Sequence, residues 1–298
     1  MNNRRLLLVH AHPDDESSQS VATMSHYLAE GAQVTLVTCT LGELGEIMLP
    51  EWQHFTPAEL GAHRKTEIEE ALATIGVTDH VFLGGAGAYH DTGMANAEGG
   101  RGAVVPEEMP DNAFWKADLL EAANHLVEII RSRRPQVAIT YDPFGNYGHP
   151  DHIQAHRVLM YAVMLASSPA HRPDLGEPWM VQRVLWNTHN SGRWAEAYAI
   201  AKERGLELWP ESENTDDPQH FGPEESHIVA VIETAPWLEK CRAALGSHRS
   251  QVDPNHPFWQ FYSIMQELPG SGEAYLLGGG TPFPPSDGPA NDLFAGLV

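Results

Sequence analysis

Four short apolar runs, each followed by a stretch of helical periodicity, dominate the first half of the chain. The runs are 6–11, 33–40, 80–84 and 136–142, and the helices are expected from near Ser17 to Gly31, at 57–75, at 114–131 and from 149 or 150 to about 166. Continuous apolar strands that alternate with helices are typical of a parallel sheet with helices on both faces. The sequence therefore predicts an α/β fold, a Rossmann-like, doubly wound and mostly parallel sheet with the strand order 3-2-1-4-5.

The pattern becomes less regular after residue 170. Strands are expected at 183–189 and 227–234, helices at 192–205 and 237–248, and mostly Gly/Pro-rich loop at 276–298, while the acidic stretch 210–219 indicates a solvated loop. We therefore expect two portions. Residues 1–170 would form a Rossmann-like metal-binding catalytic core, and residues 171–298 a smaller C-terminal α/β portion that completes the sheet and the substrate pocket.

The tripeptide His-Pro-Asp occurs twice, at 12–14 and at 149–151, each time just after an expected strand. Taken alone, either copy favours ordinary turn chemistry, in which a polar side chain caps a helix that begins with proline. In the predicted strand order, however, the first and fourth strands are neighbours, and ligands bind beyond their carboxyl ends. Both copies should therefore lie at one place.

Imidazole and carboxylate groups together suit a divalent metal ion of zinc type, and a catalytic zinc commonly takes three such protein ligands. His12, Asp14 and Asp15 would come from one loop, and His149, Asp151 and His152 from the other. The spacing does not decide which of Asp14 and Asp15 would bind the ion. The surplus groups suit hydrolysis, which needs a proton acceptor and a donor to the developing oxyanion, and the hydroxyl of Tyr147 is a candidate for this donor.

These motifs closely resemble those of the LmbE-like, or PIG-L-like, zinc deacetylases that act on N-acetylglucosamine derivatives. The resemblance covers "AHPDDE", "VTCTLGELGEI", "LGGAGAYHDTGM", "TYDPFGNYGHPDH" and the final "DLFAGL". The last four strings favour the members that deacetylate a glucosaminyl-inositol in mycothiol biosynthesis. This implies a small sugar-inositol substrate, one Zn²⁺ per chain and hydrolysis to a free amine and acetate. Fe²⁺ shares the same ligands.

The resemblance also implies a role for each matching residue. The metal ligands would be His12, Asp15 and His152. Asp14 would be the general base, and Tyr147 would stabilise the oxyanion. His149, protonated and oriented by Asp151, would stabilise the charge or protonate the leaving amine. The residues expected to line the substrate pocket are Arg64, Asp91 and Met94, although for Arg64 an exposed helix charge is an alternative.

Two residues depart from the patterns of close relatives. Phe144 stands where asparagine is usual, which bears on fine substrate preference. Gln19 stands where the related mycothiol S-conjugate amidases tend to carry lysine, which argues mildly against the amidase alternative. The remaining histidines are expected to be surface or hydrogen-bonded residues rather than metal ligands. They include His63, His90, His171 and His248.

Composition excludes several further classes. The net charge of −22 would repel nucleic-acid phosphates, and no apolar stretch approaches the length of a membrane helix. Cys39 and Cys241 are expected to be reduced core thiols, so we expect a cytoplasmic protein with neither nucleic acid nor membrane as partner. The pocket motifs lack the clustered basic residues that a phosphoesterase would use to bind phosphate. The chain also lacks the glycine fingerprint of a nicotinamide-dependent oxidoreductase. A sugar-binding module remains an alternative, against which the surplus acid and base groups argue.

Overall fold

The computed structural model describes residues 3–96, 102–208 and 222–297, and these residues form one seven-stranded sheet in the order β3-β2-β1-β6-β7-β9-β8. Its strands are β1 (Arg5–His10), β2 (Gln33–Thr38), β3 (Asp79–Phe82), β6 (Val137–Tyr141), β7 (Arg183–Thr188), β8 (Ala230–Glu233) and β9 (Gly272–Gly280). A small antiparallel ladder pairs β4 (Ala95–Asn96) with β5 (Ala103–Val104). The expected acidic loop at 210–219 lies outside the described residues.

The strand order reverses between β1 and β6, as the sequence predicts for a doubly wound sheet. The strands from β3 to β7 in this order are all parallel, and only β9 and β8 are antiparallel to their neighbours. The α/β, mostly parallel Rossmann-like fold class is therefore confirmed. Because β1 and β6 run in the same direction, the loops that follow them leave the sheet at the same edge.

Helices cover both faces of the sheet. They are α1 (Asp15–Gln19), α2 (Val21–Ala29), α3 (Pro57–Ile75), α4 (Leu119–Arg133), α5 (Gly145–Gly148), α6 (Pro150–Ala166), α7 (Ser191–Glu203), α8 (Leu238–Leu245) and α9 (Pro257–Glu267). Leu6 and Leu8 of β1 belong to the core that includes residues of α2, α3 and α8, whereas Leu7 belongs to the core with α4 and α6. A strand buried on both faces has no position that faces solvent, which explains the unbroken apolar run Leu6 to Val9.

The helix over 57–75 has the predicted bounds because its signals are local. Thr56 and Glu59 form a capping box, Pro57 occupies the first turn, and Gly76 ends the helix with a φ of 96°. Each of these features depends on residues within four positions of the helix end. Local sequence was therefore enough to place both ends.

The first helix differs from the prediction. It begins at Asp15 rather than near Ser17 and is interrupted at Ser20, which has an extended φ of −144°. The reason lies far along the chain, because the Glu273 carboxylate of β9 accepts hydrogen bonds from the backbone N–H groups of Ala22 (2.8 Å) and Thr23 (2.7 Å). A carboxylate at this position satisfies the free N–H groups of a separate helix, α2.

The predicted helix over 114–131 is also shifted. Residues Phe114–Lys116 form only a 3₁₀ turn, and α4 begins at Leu119. The Asp118 side chain caps α4 by accepting a hydrogen bond from the N–H of Glu121 at 2.9 Å. The helix then continues two residues beyond the predicted end.

The prediction that 276–298 is mostly loop was wrong at its start, and α9 was not predicted. The glycine-rich segment Gly272–Gly280 is the strand β9, which pairs with β7. A Cβ on Gly278 would lie 2.4 Å from Nε1 of Trp186, so this glycine leaves space for the indole of the neighbouring strand. Glycine here reflects close packing rather than a turn.

Strands from beyond residue 170 thus pair directly with the first half of the sheet, while the division of the chain at residue 170 stays a prediction. Cys39 and Cys241 are buried free thiols, as expected. Among the described residues, no helix has both the length and the apolar character needed to cross a bilayer.

Arg131, near the C-terminal end of α4, is buried against the end of α6. The side chain is 3% exposed, and its guanidinium donates hydrogen bonds to backbone carbonyls at and beyond the end of α6. The acceptors are the carbonyl oxygens of Leu165, Ala166, Ser168, His171, Arg172 and Gly176. Arg131 of α4 thereby satisfies the free carbonyls at the C-terminus of α6.

We expect Arg131→Met to lower the free energy of unfolding by about 3 kcal/mol or more, since several buried carbonyls lose a charged donor. Urea unfolding at neutral pH would measure this. Arg133→Met is the matched control, because the Arg133–Asp79 pair is partly exposed and such pairs contribute about 1 kcal/mol or less. Equal losses from the two variants would contradict the role assigned to Arg131.

Candidate metal centre and active site

The loops after β1 and β6 are joined by the side chain of Tyr141, the last residue of β6. Its hydroxyl accepts a hydrogen bond from the backbone N–H of Ala11 at 2.8 Å. Its ring stacks on that of His152, with centroids 4.1 Å apart and an angle of 11° between the planes. One buried tyrosine thus fixes the first loop relative to the first turn of α6.

The three residues predicted to bind metal meet in this region. The Asp15 carboxylate lies between two imidazoles, with Oδ2 3.3 Å from Nδ1 of His12 and Oδ1 3.4 Å from Nε2 of His152. All three side chains are buried. The backbone N–H of His12 donates to Asp15 Oδ2 at 2.8 Å, which holds the carboxylate inside the loop. The structure therefore brings the predicted ligands together, and their binding of an ion stays a prediction.

His152 supplies an independent indication that this cluster fits a cation. Both of its ring nitrogens are buried; within the described part of the chain Nδ1 has no hydrogen-bond partner, and Nε2 has only the 3.4 Å contact with Asp15, which lacks hydrogen-bond geometry. Buried polar atoms are almost always satisfied, and an unsatisfied one is costly. Two imidazoles and one carboxylate also form an established donor set for a catalytic zinc. The residues therefore fit a divalent metal ion.

His149 lies close enough to be considered as a fourth ligand. It forms a compact group with His12 and His152, and its ring lies 4.9 Å from that of His152. However, its Nδ1 accepts a hydrogen bond from the backbone N–H of Asp151 at 3.1 Å. A neutral imidazole that accepts at Nδ1 carries its proton on Nε2 and has no lone pair left for a metal ion. His149 is therefore placed as a hydrogen-bond donor through Nε2–H rather than as a ligand.

The resemblance implied a protonated His149, but the geometry favours the neutral ring. Burial, reinforced by the neighbouring His12 and His152, holds the pKa of His149 well below its usual value. The hydrogen bond accepted at Nδ1 is also incompatible with a proton on that nitrogen. At neutral pH the side chain would therefore donate through Nε2–H without carrying a positive charge.

Asp151 contacts a different histidine from the one expected. Its carboxylate accepts from the backbone N–H of Thr92 at 2.8 Å and from the Thr92 hydroxyl, and Oδ2 lies 3.2 Å from Nε2 of His12. Only its backbone N–H contacts His149. A metal-binding histidine usually donates its second ring N–H to such a carboxylate. Asp151 is therefore placed to orient His12 so that Nδ1 faces Asp15.

Asp14 lies beside the cluster in an unusual backbone conformation, with a φ of 129°. Its carboxylate is 3.0 Å from the guanidinium of Arg64. Burial raises the pKa of Asp14 to about 6, although the charge of Arg64 acts in the opposite direction. A carboxylate with a raised pKa is a better proton acceptor than an ordinary surface aspartate.

Arg64 is buried, at 2% exposure, so the alternative of an exposed helix charge was wrong. Its guanidinium donates to the carbonyl of Gly42 at 2.8 Å and to the carbonyl of Pro13. A Cβ on Gly42 would lie 2.3 Å from an Arg64 nitrogen, which explains a glycine there. Arg64 thus supports the Asp14 loop and also borders the cavity described next.

A cavity of about 850 Å³ opens above the cluster. The predicted site residues that line it are His12, Asp14, Asp15, Arg64, Asp91, Met94, Tyr147 and His149. Asp151 and His152 lie behind this lining. Met94 is 54% exposed, whereas the Asp91 carboxylate is buried and accepts hydrogen bonds from the N–H groups of Gly93 and Leu44. The structure thus places eight of the ten predicted residues around one space.

Sequence reasoning missed several residues of this region. Aromatic side chains from the second half of the chain line the cavity, and they include Trp194, Phe258, Trp259 and Tyr262. Glu16 and His248 are both fully buried and form a pair at 2.8 Å behind the Asp14 loop. The third consecutive acid in "AHPDDE" was the only available signal for Glu16, and no local pattern indicates that His248 would reach it.

The fold and the site together define an α/β protein with a buried His/Asp cluster that fits a divalent metal ion. Residues 7–163 match the family model PIG-L, described as GlcNAc-PI de-N-acetylase. The chain belongs to this family, which confirms the resemblance. Among its relatives is the 1D-myo-inositol 2-acetamido-2-deoxy-α-D-glucopyranoside deacetylase of Kribbella flavida, which is 46% identical over 301 residues, covering 99% of this chain and 98% of the relative.

Solved structures show the same fold at low sequence identity. The N,N'-diacetylchitobiose deacetylase of Pyrococcus horikoshii superposes with a TM-score of 0.61 at 18% identity, over 93% of this chain and 84% of the other. The 4-carboxy-2-hydroxymuconate hydratase GalB of Pseudomonas putida KT2440 gives 0.56 at 15% identity, over 92% and 95%. Because a deacetylase and a hydratase share the fold, the fold alone does not determine the reaction.

We expect Asp151→Asn to weaken metal binding by about 10–100-fold, because His12 loses the carboxylate that orients it. Competition with a chromophoric chelator would measure the dissociation constant of Zn²⁺. His149→Gln is the matched control and should change this constant by less than about threefold, since its Nε2 has no lone pair for the ion. A larger loss from His149→Gln than from Asp151→Asn would reverse the two assignments.

Proposed function

We propose that this protein is a metal-dependent N-deacetylase that hydrolyses the N-acetyl group of a glucosaminyl-inositol to the free amine and acetate, in mycothiol biosynthesis. The observation that carries the proposal is the convergence of His12, Asp15 and His152 beside Asp14, a spare carboxylate. The near full-length similarity to the Kribbella flavida deacetylase supports the substrate class. The expected cytoplasmic location stays a prediction.

His12, Asp15 and His152 would hold the ion. When bound, a zinc or ferrous ion supplies Lewis-acid chemistry, polarising the acetyl carbonyl and lowering the pKa of a coordinated water. Asp14 is the residue placed to take the proton of the attacking water. Its carboxylate borders the cavity, and its pKa, raised to about 6, still lies below neutral pH, so the group is mostly ionised and is a stronger base than an ordinary aspartate.

Two neutral donors face the same cavity and suit the oxyanion that forms when the carbonyl is attacked. Tyr147 is 37% exposed, but desolvation of its hydroxyl inside the cavity, followed by the carboxylates of Asp15 and Asp14, raises its pKa well above the usual value, so the hydroxyl keeps its proton. His149 presents Nε2–H, as its Nδ1 contact requires. Fixed donors aimed at developing negative charge are an effective form of catalysis. Because a neutral His149 that gave up its Nε2 proton would become an imidazolate anion, the proton for the departing amine would come from Asp14, which takes one from the attacking water.

The remainder of the cavity suits a polyol of two rings. Arg64 and Asp91 provide a cationic and an anionic group for hydroxyls near the reacting end. Met94, Leu44 and Phe144 are exposed apolar side chains on the lining, at 54%, 40% and 62%. Such side chains match the apolar faces of sugar rings, while the polar groups fix orientation. We assign substrate binding to Arg64, Asp91 and Met94 on this basis.

Asp14→Asn should reduce acetate release by at least about 100-fold, because an amide does not accept the proton of the attacking water. Its metal content should equal that of the wild type, measured by atomic emission on the purified protein. Asp174→Asn is the control, since Asp174 is an exposed residue that forms a surface ion pair with Arg172 and does not line the cavity. Wild-type turnover by Asp14→Asn would show that another group is the base.

Removal of the metal should abolish acetate release, and adding one equivalent of Zn²⁺ or Fe²⁺ should restore it, because the carbonyl is otherwise not activated. The measurement is acetate produced from N-acetylglucosaminyl-inositol by chelator-treated protein. A parallel assay on a mycothiol S-conjugate tests the amidase alternative. Full activity in the metal-free protein would contradict the proposal, and turnover of the conjugate alone would favour the amidase.

A further inference from the structure

We propose that Glu16 and His248 form a positioning pair that holds the backbone of Asp14 in its catalytic conformation. The inference rests on the proposed role of Asp14 as general base and extends the site by two residues that neither bind the ion nor react. Neither Glu16 nor His248 is among the described residues that line the cavity. They would therefore act through Asp14 and not by touching the substrate.

Asp14 needs such support because its backbone is strained. Its φ of 129° and ψ of −25° lie in a region that non-glycine residues rarely occupy. A conformation of this kind costs about 1–3 kcal/mol and persists only where neighbouring groups enforce it. Asp14 also immediately precedes α1, and its side chain makes no capping bond to that helix. The Asp14 carbonyl accepts the N–H groups of Ser17 and Ser18 at 3.0 and 2.9 Å, so α1 holds the carbonyl side of the residue and the N–H side needs another contact.

Glu16 provides the contact on the backbone side. Its Oε2 accepts the backbone N–H of Asp14 at 3.0 Å, and its Oε1 lies 2.8 Å from Nε2 of His248. The hydroxyl of Ser17 also donates to Oε1. The side chains of Glu16 and His248 are both 0% exposed, so the carboxylate has no contact with solvent and depends on these protein donors. A buried carboxylate that loses one such partner is strongly destabilised.

His248 is itself fixed from outside the loop. It follows α8, and its carbonyl accepts the N–H groups of Gln251 and Val252 at 3.0 and 2.9 Å. Two residues later, Ser250 donates its N–H and its hydroxyl to the buried Glu67 carboxylate of α3, both at 2.7 Å. The segment that carries the imidazole of His248 is therefore tied to α3.

Arg64 completes the restraint from the opposite side. It binds the Asp14 carboxylate at 3.0 Å and the carbonyl of Pro13, whereas Glu16 binds the Asp14 N–H. The backbone and the side chain of Asp14 are thus held by separate groups. Loss of the Glu16–His248 pair would leave the carboxylate tethered to Arg64 while the backbone relaxes, which would turn it away from the attacking water. A displacement of about 1 Å is enough to cost about 100-fold in rate.

The test compares metal-loaded wild type with His248→Leu, which lacks a donor to Glu16, and with Glu16→Gln, which keeps one acceptor oxygen for the three groups that contact the carboxylate. We expect kcat to fall about 10–100-fold in both, with KM within about threefold and the metal content unchanged. A crystal structure of His248→Leu should show Asp14 with a negative φ. His248→Gln is the rescue variant, because its amide N–H still reaches Glu16, and it should recover most of kcat.

Arg131→Met is the control for loss of stability alone. It removes a buried charged side chain at the far end of α6, about 25 Å from the site by the length of that helix. This variant should lower the melting temperature and leave kcat unchanged. A kcat loss in His248→Leu that merely matches that of Arg131→Met would show a structural effect only and would overturn the inference.

The inference is also overturned if folded His248→Leu or Glu16→Gln keeps kcat within about twofold of wild type, or if His248→Gln is as impaired as His248→Leu. If His248→Leu does not fold, the comparison of Glu16→Gln with His248→Gln decides in the same way. Acetate release by the wild type is measured first. Its absence would refute the proposed function and with it this inference, whereas an active wild type with active variants refutes the inference alone.

Discussion

The parallel pairing of β1 with β6 is the constraint on which the whole site depends. The register places Leu6 opposite Val137 and Leu8 opposite Ile139, so both strands end at the same level. Tyr141 at the end of β6 then reaches the N–H of Ala11 and stacks on His152. A shift of one residue would turn Tyr141 to the other face of the sheet and separate the two loops. The meeting of His12, Asp15 and His152 is therefore a consequence of strand register as much as of residue identity.

The acids around this junction have different roles because their surroundings differ. Asp15 lies between two imidazoles and matches a metal ligand, whereas Asp14 borders the cavity and has a pKa raised to about 6. Glu16 is fully buried and binds backbone and imidazole groups. The Asp151 carboxylate accepts hydrogen bonds from Thr92 and lies within hydrogen-bond distance of His12. Four carboxylates at the carboxyl ends of β1 and β6 therefore have different roles, since each has its own set of hydrogen-bond donors.

The sequence predicts well whatever depends on local signals or on general rules of topology. The helix over 57–75 has both predicted ends because its caps are adjacent residues, and the meeting of His12 with His152 follows from strand order. The failures share a different cause, since each depends on a side chain distant in sequence. Glu273 interrupts the first helix, the indole of Trp186 explains a glycine in an unexpected strand, and His248 reaches Glu16 across more than two hundred positions. Such contacts leave no periodic or spacing signal in a single sequence.

Two distant segments are expected to hold one ion through His12, Asp15 and His152, while Asp14 and His149 stay uncoordinated. A crystal structure of the zinc-loaded protein, with anomalous data collected at the zinc edge, tests this most directly. We predict a single strong anomalous peak about 2.0–2.3 Å from Nδ1 of His12, an oxygen of Asp15 and a ring nitrogen of His152. A peak coordinated by His149, or one held between Asp91 and Asp151, would contradict this assignment.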